Sequence, residues 1–93
     1  VRAPAGKRGL WQIDALDVEL VKLLAARQKL IAQAGHAKPE RHHIRDEARI
    51  EEVINLVLQT AQKEGLATEI AEPVWRQLIE SSIAYEYRVF DDR

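Results

Sequence analysis

"LVKLLAARQKLIAQAGHAKPE", residues 20–40, repeats its apolar side chains every three or four positions, the period of an amphipathic helix. Followed back to Ile13, the inward stripe of that helix reads Ile13, Leu16, Leu20, Leu23, Arg27, Leu30 and Ala34. Only Arg27 is not apolar. A guanidinium keeps its proton and is costly to desolvate without a partner. Either this stripe is not a core, or an anion meets Arg27 there.

Pro39 stops the helix, because the residue before a proline avoids the α region. The periodicity predicts a helix from about Leu10 to about Ala37, with Asp14 and Asp17 near its start, where carboxylates favour the dipole. Its ~28 residues would extend about 42 Å at the usual rise per residue. A compact chain of this size is roughly 26 Å across, twice its radius of gyration. A helix that long predicts a partner chain along part of it. Residues 1–9, "VRAPAGKRG", read as a flexible N-terminal arm, and 10–93 as the helical domain.

Beyond Pro39, "KPERHHIRD" reads as a polar connection. A second helix is predicted from near Asp46 to about Glu64, with Ile50, Val53, Ile54, Val57, Leu58 and Ala61 on its apolar face and Gly65 as its C-terminal cap. "LATEIAEPVW" opens a third helix with Thr68 as N-cap. Pro73 then falls in the first turn or two, where it is tolerated best if the helix begins nearer Ala71 or Glu72. This helix carries Trp75, Leu78, Ile79, Ser82, Ile83 and Tyr85 to about Phe90. There is no strand alternation and no repeat. The predicted fold is all-α: three helices, the first much the longest.

The composition supports a folded domain, with 46% apolar and 31% charged residues. A net charge of −1 gives no reason to expect nucleic acid or an anionic membrane as partner. No apolar run approaches a membrane span. Cysteine is absent, which excludes disulfides and thiolate chemistry. The polar opening without a methionine is expected of a mature periplasmic or secreted protein, with a trimmed cytoplasmic domain as the alternative. His36, His42 and His43 lack the carboxylate or thiolate scaffold of a zinc site, so no metal is expected.

Each predicted helix also places a polar group on or beside its apolar face. Lys38 follows Arg27 by eleven residues, which puts both cations along one face, roughly 16 Å apart by helical rise. Asp46 falls on the Ile50–Val53–Val57 face with Arg49 beside it. Ser82 and Glu86 are four apart on the third helix. Each has a plain structural reading: a snorkelling arginine, a solvated helix-end lysine, a capping carboxylate, a small residue at a crossing. Taken together they describe a bundle interior suited to a small dianion.

The chain resembles the all-helical chorismate mutases over residues 13 to 88. The matching elements are I-D-x-L-D (Ile13–Asp17), the arginine ten residues after the second Asp (Arg27), G-x-x-K (Gly35–Lys38) and R-D-x-x-R (Arg45–Arg49). The resemblance implies an intertwined homodimer of three-helix chains with two active sites. It implies a pericyclic rearrangement of chorismate to prephenate in aromatic amino-acid biosynthesis, with no cofactor and no metal. Arg27 and Arg49 would hold substrate carboxylates, and Lys38 would meet the ether oxygen and a carboxylate. Asp46 and Ser82 would line and order the site. Glu86 stands where many relatives have a glutamine that donates to the ether oxygen. A glutamate donates only when protonated, so turnover should favour mildly acid pH, or burial must keep that carboxyl protonated.

Two positions depart from the family pattern. Leu10 replaces an arginine that reaches the partner's site; Arg8 or Lys7 in the arm is the candidate substitute. Ile50 replaces a glutamate that meets the ring hydroxyl. Isochorismate pyruvate lyases resemble this chain too and tend to have an apolar residue there, which makes salicylate formation the alternative activity. A non-catalytic helical dimer docking on a shikimate-pathway enzyme is the alternative from another class.

Overall fold

The computed structural model describes residues 8–93, without the Arg8 side chain. The expectations placed on Lys7, on the Arg8 side chain and on most of the arm therefore lie outside the described residues. Among the described residues three helices are formed: α1 (Arg8–Ala37), α2 (Glu47–Glu64) and α3 (Thr68–Asp92), with a 3₁₀ turn at Arg41–His43 before α2. The described residues contain no strand. The all-α reading with a long first helix holds.

The helix ends show which local signals act. α1 begins at Arg8 rather than Leu10, so Asp14 and Asp17 lie beyond its first turn. It ends at Ala37, just before Pro39, with the Lys38 N–H still bonded to the Ala34 carbonyl at 3.0 Å. Asp46 caps α2 by accepting the Arg49 N–H at 3.1 Å. Gly65 closes α2 in the left-handed region, φ 77°, and the Leu66 N–H returns to the Ala61 carbonyl at 2.8 Å.

α3 departs from expectation. Thr68 is its first helical residue and not its cap; Ala67 holds the cap position with no side-chain bond. The Ile70 and Ala71 N–H groups both bond the Ala67 carbonyl at 3.0 Å, so backbone alone starts the helix. Pro73 consequently stands inside the helix, past its first turn. The early start includes Ala71, which is 1% exposed, in the helix.

The chain divides after Leu30 into two units. The described part of the first is α1 as far as Leu30. From Gly9 to Leu30 every residue is exposed except Arg27, which is half-buried. The stripe read as inward-facing is open: Leu16 is 64% exposed, Leu23 67% and Leu30 65%. A single helix has nothing of its own to pack against.

The second unit, Ile31–Arg93, holds the core. Ile50 and Ile54 of α2 meet Ile79 and Ile83 of α3, edged by Val53, Leu58, Trp75, Tyr87 and Phe90. Ile54 is almost wholly enclosed. The fifth core residue, Ile44, comes from the connection read as polar. The 3₁₀ turn before it, with His43 N–H on the Glu40 carbonyl and Ile44 N–H on that of Arg41, accompanies this inward placement. On the surface Arg76 of α3 makes a two-pronged bond to Glu51 of α2, both contacts at 3.1 Å.

Candidate active site

The second unit brings the end of α1 onto α3 through a glycine. Gly35 is buried, and a Cβ there would stand 3.0 Å from Glu86 Cγ, 3.3 Å from the Glu86 carbonyl oxygen and 3.4 Å from Val89 Cγ1. A side chain at this position would crowd α3 and require its atoms to give by a few tenths of an ångström. That is the physical content of the glycine in G-x-x-K.

The lysine of the same motif completes the contact. Lys38 Nζ donates to Glu86 Oε2 at 2.5 Å, across 48 residues of sequence. Glu86 is 7% exposed, while the Lys38 side chain keeps 28% of its surface. A buried carboxylate needs a charge partner or donors, and Lys38 supplies one. Ser82 lies one turn before Glu86 on α3 and is half-buried. Two residues chosen from sequence for one site thus meet in space, and a third shares the face of the second.

The others are placed differently. Arg49 points to solvent, with its side chain 66% exposed and Nη1 on Glu52 Oε2 at 3.2 Å. Its placement on an exposed side of α2, three residues from an acidic neighbour, explains the pairing. Asp46 has its carboxylate engaged as the α2 cap. Ile50 lies in the isoleucine core, which gives its apolar identity a structural reason. Arg27 belongs to the first unit, where it alone is half-buried, and burial pushes its guanidinium below its ordinary range. Leu10, at the position of the missing family arginine, is exposed. Arg45, in the R-D-x-x-R motif, is tied to Glu47 and Glu80. His42 pairs with Glu40 at 3.1 Å.

A family model described as chorismate mutase type II matches residues 11–87. The chain belongs to the chorismate mutase type II family. It is an isomerase by family, and the family's reaction carries chorismate to prephenate. The family also implies a small-molecule substrate. Neither the curated proteins nor the solved structures yield a match. No helix among the described residues is long and apolar enough to cross a membrane.

Sequence reasoning missed three contributors near Lys38. Ile44 anchors the following connection in the core, and Arg41 and Arg93 tie that region to the end of α3. An isolated isoleucine in a polar stretch was the available signal for the first. The arginines gave none, because their partners are 50 and 55 residues away.

Proposed function

We propose that this chain rearranges chorismate to prephenate at a site centred on Lys38 and Glu86. The supporting observation is the contact between those two side chains, a buried carboxylate and an ammonium held together by the close approach at Gly35. Chorismate is a flexible dicarboxylate, and negative charge builds on its ether oxygen as the carbon–oxygen bond breaks. An ammonium fixed at that oxygen stabilises the transition state more than the ground state, which is what accelerates a reaction.

With substrate bound, Lys38 turns from Glu86 to the ether oxygen and a neighbouring carboxylate. Glu86, in its protonated form, donates a hydrogen bond to the same oxygen. Arg27 and Arg49 grip the two carboxylates, their forks matching the planar groups. For Arg49 this means leaving an exposed pairing with Glu52, an exchange that costs little because such pairs contribute little. Ser82 and Ile50 line the pocket, Asp46 fixes the start of α2 beneath Arg49, and Arg8 takes the role of the arginine missing at Leu10.

The active form in this reading is a homodimer. Its support is the open leucine stripe of α1, whose full burial is worth about 1.5–3 kcal/mol per side chain. Ile50 favours one competing activity, cleavage of isochorismate to salicylate and pyruvate, since no carboxylate stands there to meet the ring hydroxyl of chorismate.

Offering both substrates to the purified chain decides the matter. Prephenate from chorismate is the expected product. Salicylate and pyruvate from isochorismate, without prephenate, would transfer the site to the lyase reaction, and inertness towards both would end the enzymatic reading. For Glu86, turnover is expected to rise toward mildly acid pH, and Glu86→Gln should flatten that profile. A profile unaltered by the substitution removes Glu86 as the donor.

A further inference from the structure

Lys38 sits where a helix ordinarily frays, one residue past the end of α1 and directly before Pro39. The last carbonyls of a helix have no partner within it. Here Arg93 reaches back to them: its Nη1 donates to the Lys38 carbonyl at 2.7 Å and lies 3.3 Å from the His36 carbonyl. Its guanidinium carbon rests 3.7 Å from the centre of the Phe90 ring, and Phe90 packs on the isoleucine core. A cation at a helix C-terminus is also favoured by the dipole.

A second tie holds the other side of the same segment. Arg41 Nε donates to Asp91 Oδ1 at 3.0 Å and Nη2 lies 3.4 Å from Oδ2. The Arg41 guanidinium carbon is 4.2 Å from the Tyr87 ring centre, and Tyr87 also packs on the core. The backbone around Lys38 is thus gripped from the turns of α3 that immediately follow Glu86. Both contacts are exposed, and exposed ion pairs add little to stability. Their product is placement: the ammonium and the carboxylate it meets share one support.

We infer that the end of α3 clamps the segment carrying Lys38, and that Arg93 is a positioning residue for that lysine. The inference rests on the proposed action of Lys38 at the ether oxygen. Misplacing a catalytic group by about 1 Å is enough to cost up to roughly 10²-fold in rate. A clamp that limits such displacement therefore acts on kcat.

The test uses Arg93→Met, which keeps an apolar stem over Phe90 and removes the donors. Its kcat on chorismate should fall about 10-fold, with KM changed far less. Arg93→Lys, which returns a donor, should recover at least half of the loss. In a Lys38→Ala background Arg93→Met should have no further effect, since there is no lysine left to position. Amide exchange over residues 38–44 should quicken in Arg93→Met while that of α2 stays unchanged.

An equal loss in both backgrounds would make Arg93 a merely structural residue and overturn the proposal, as would unchanged exchange over residues 38–44. A wild type inert towards chorismate and isochorismate sinks the functional reading and this inference together. An active wild type with an unaffected Arg93→Met sinks this inference alone.

Discussion

Residues 8–30 hold their leucines out to solvent, whereas residues 31–93 enclose Ile44, Ile50, Ile54, Ile79 and Ile83 in a core. Both stretches carry the same kind of apolar stripe in sequence. The difference shows that periodicity names the face to be covered and not what covers it. α2 and α3 cover each other. The α1 stripe has no cover within its own unit, and its single half-buried residue is the charged one, Arg27. That distribution is what the proposed homodimer and the proposed role of Arg27 at a substrate carboxylate would require of α1.

The sharpest way to break this contrast is at Arg27. Arg27→Ala is expected to lower kcat/KM on chorismate by about 10³-fold, the scale for losing a preorganised cation from a site. Sedimentation should show the assembly intact. A variant that unfolds or dissociates instead would make Arg27 a structural pairing and leave α1 without a catalytic member.

The next two substitutions separate the stretches from each other. Leu23→Glu puts a charge into the open stripe. It should dissociate the proposed dimer and abolish the dependence of Tm on protein concentration expected of it, while α2 and α3 keep their helical signal. Ile54→Ala removes the largest fully enclosed side chain of the other stretch and should cost about 2–5 kcal/mol in chemical denaturation. A wild type whose Tm ignores concentration would refute the partner chain. An Ile54→Ala cost below about 1 kcal/mol would mean that α2 and α3 do not form the core that holds the site.

The same contrast explains what sequence could reveal. The α2 face, its Asp46 cap and its Gly65 stop were legible because each is a local signal with a physical cause. Lys38 and Glu86 were legible as polar residues beside apolar faces, but their meeting required three-dimensional contact. Ile44 was not legible, since one buried residue in a turn has no period. The start of α3 was misread at Thr68 because the helix begins on the Ala67 carbonyl with no side-chain cap to mark it. Whether Arg49 faces a ligand was also beyond local rules; its side chain is exposed and pairs with Glu52.

Gly35→Ala probes where α1 enters the second stretch. Alanine is the better helix former by about 1 kcal/mol, which alone would stabilise. The added Cβ would stand 3.0 Å from Glu86 Cγ and 3.3 Å from its carbonyl oxygen, and the backbone atom cannot swing aside. Overpacking of this kind costs about 1–3 kcal/mol, so the net change should be a modest loss of stability. The displacement should also part Lys38 from Glu86 and depress kcat. A variant that is both more stable and fully active would show that the approach of α1 to α3 at this point is unnecessary.

The smallest expected effect belongs to the surface of the α2–α3 pair. Hydrogen bonds from Arg76 hold the Glu51 carboxyl below its ordinary range. A carboxyl lowered in the folded state stabilises it at pH above the unfolded value, and the gain is lost as pH falls through the folded value. Glu51→Gln cannot titrate. The Tm difference between wild type and Glu51→Gln should therefore be small but measurable at neutral pH and vanish in acid, below the folded value. Because both partners are exposed, salt should shrink it as well. A difference that persists unchanged in acid would show that the contact does not act through the charge of Glu51.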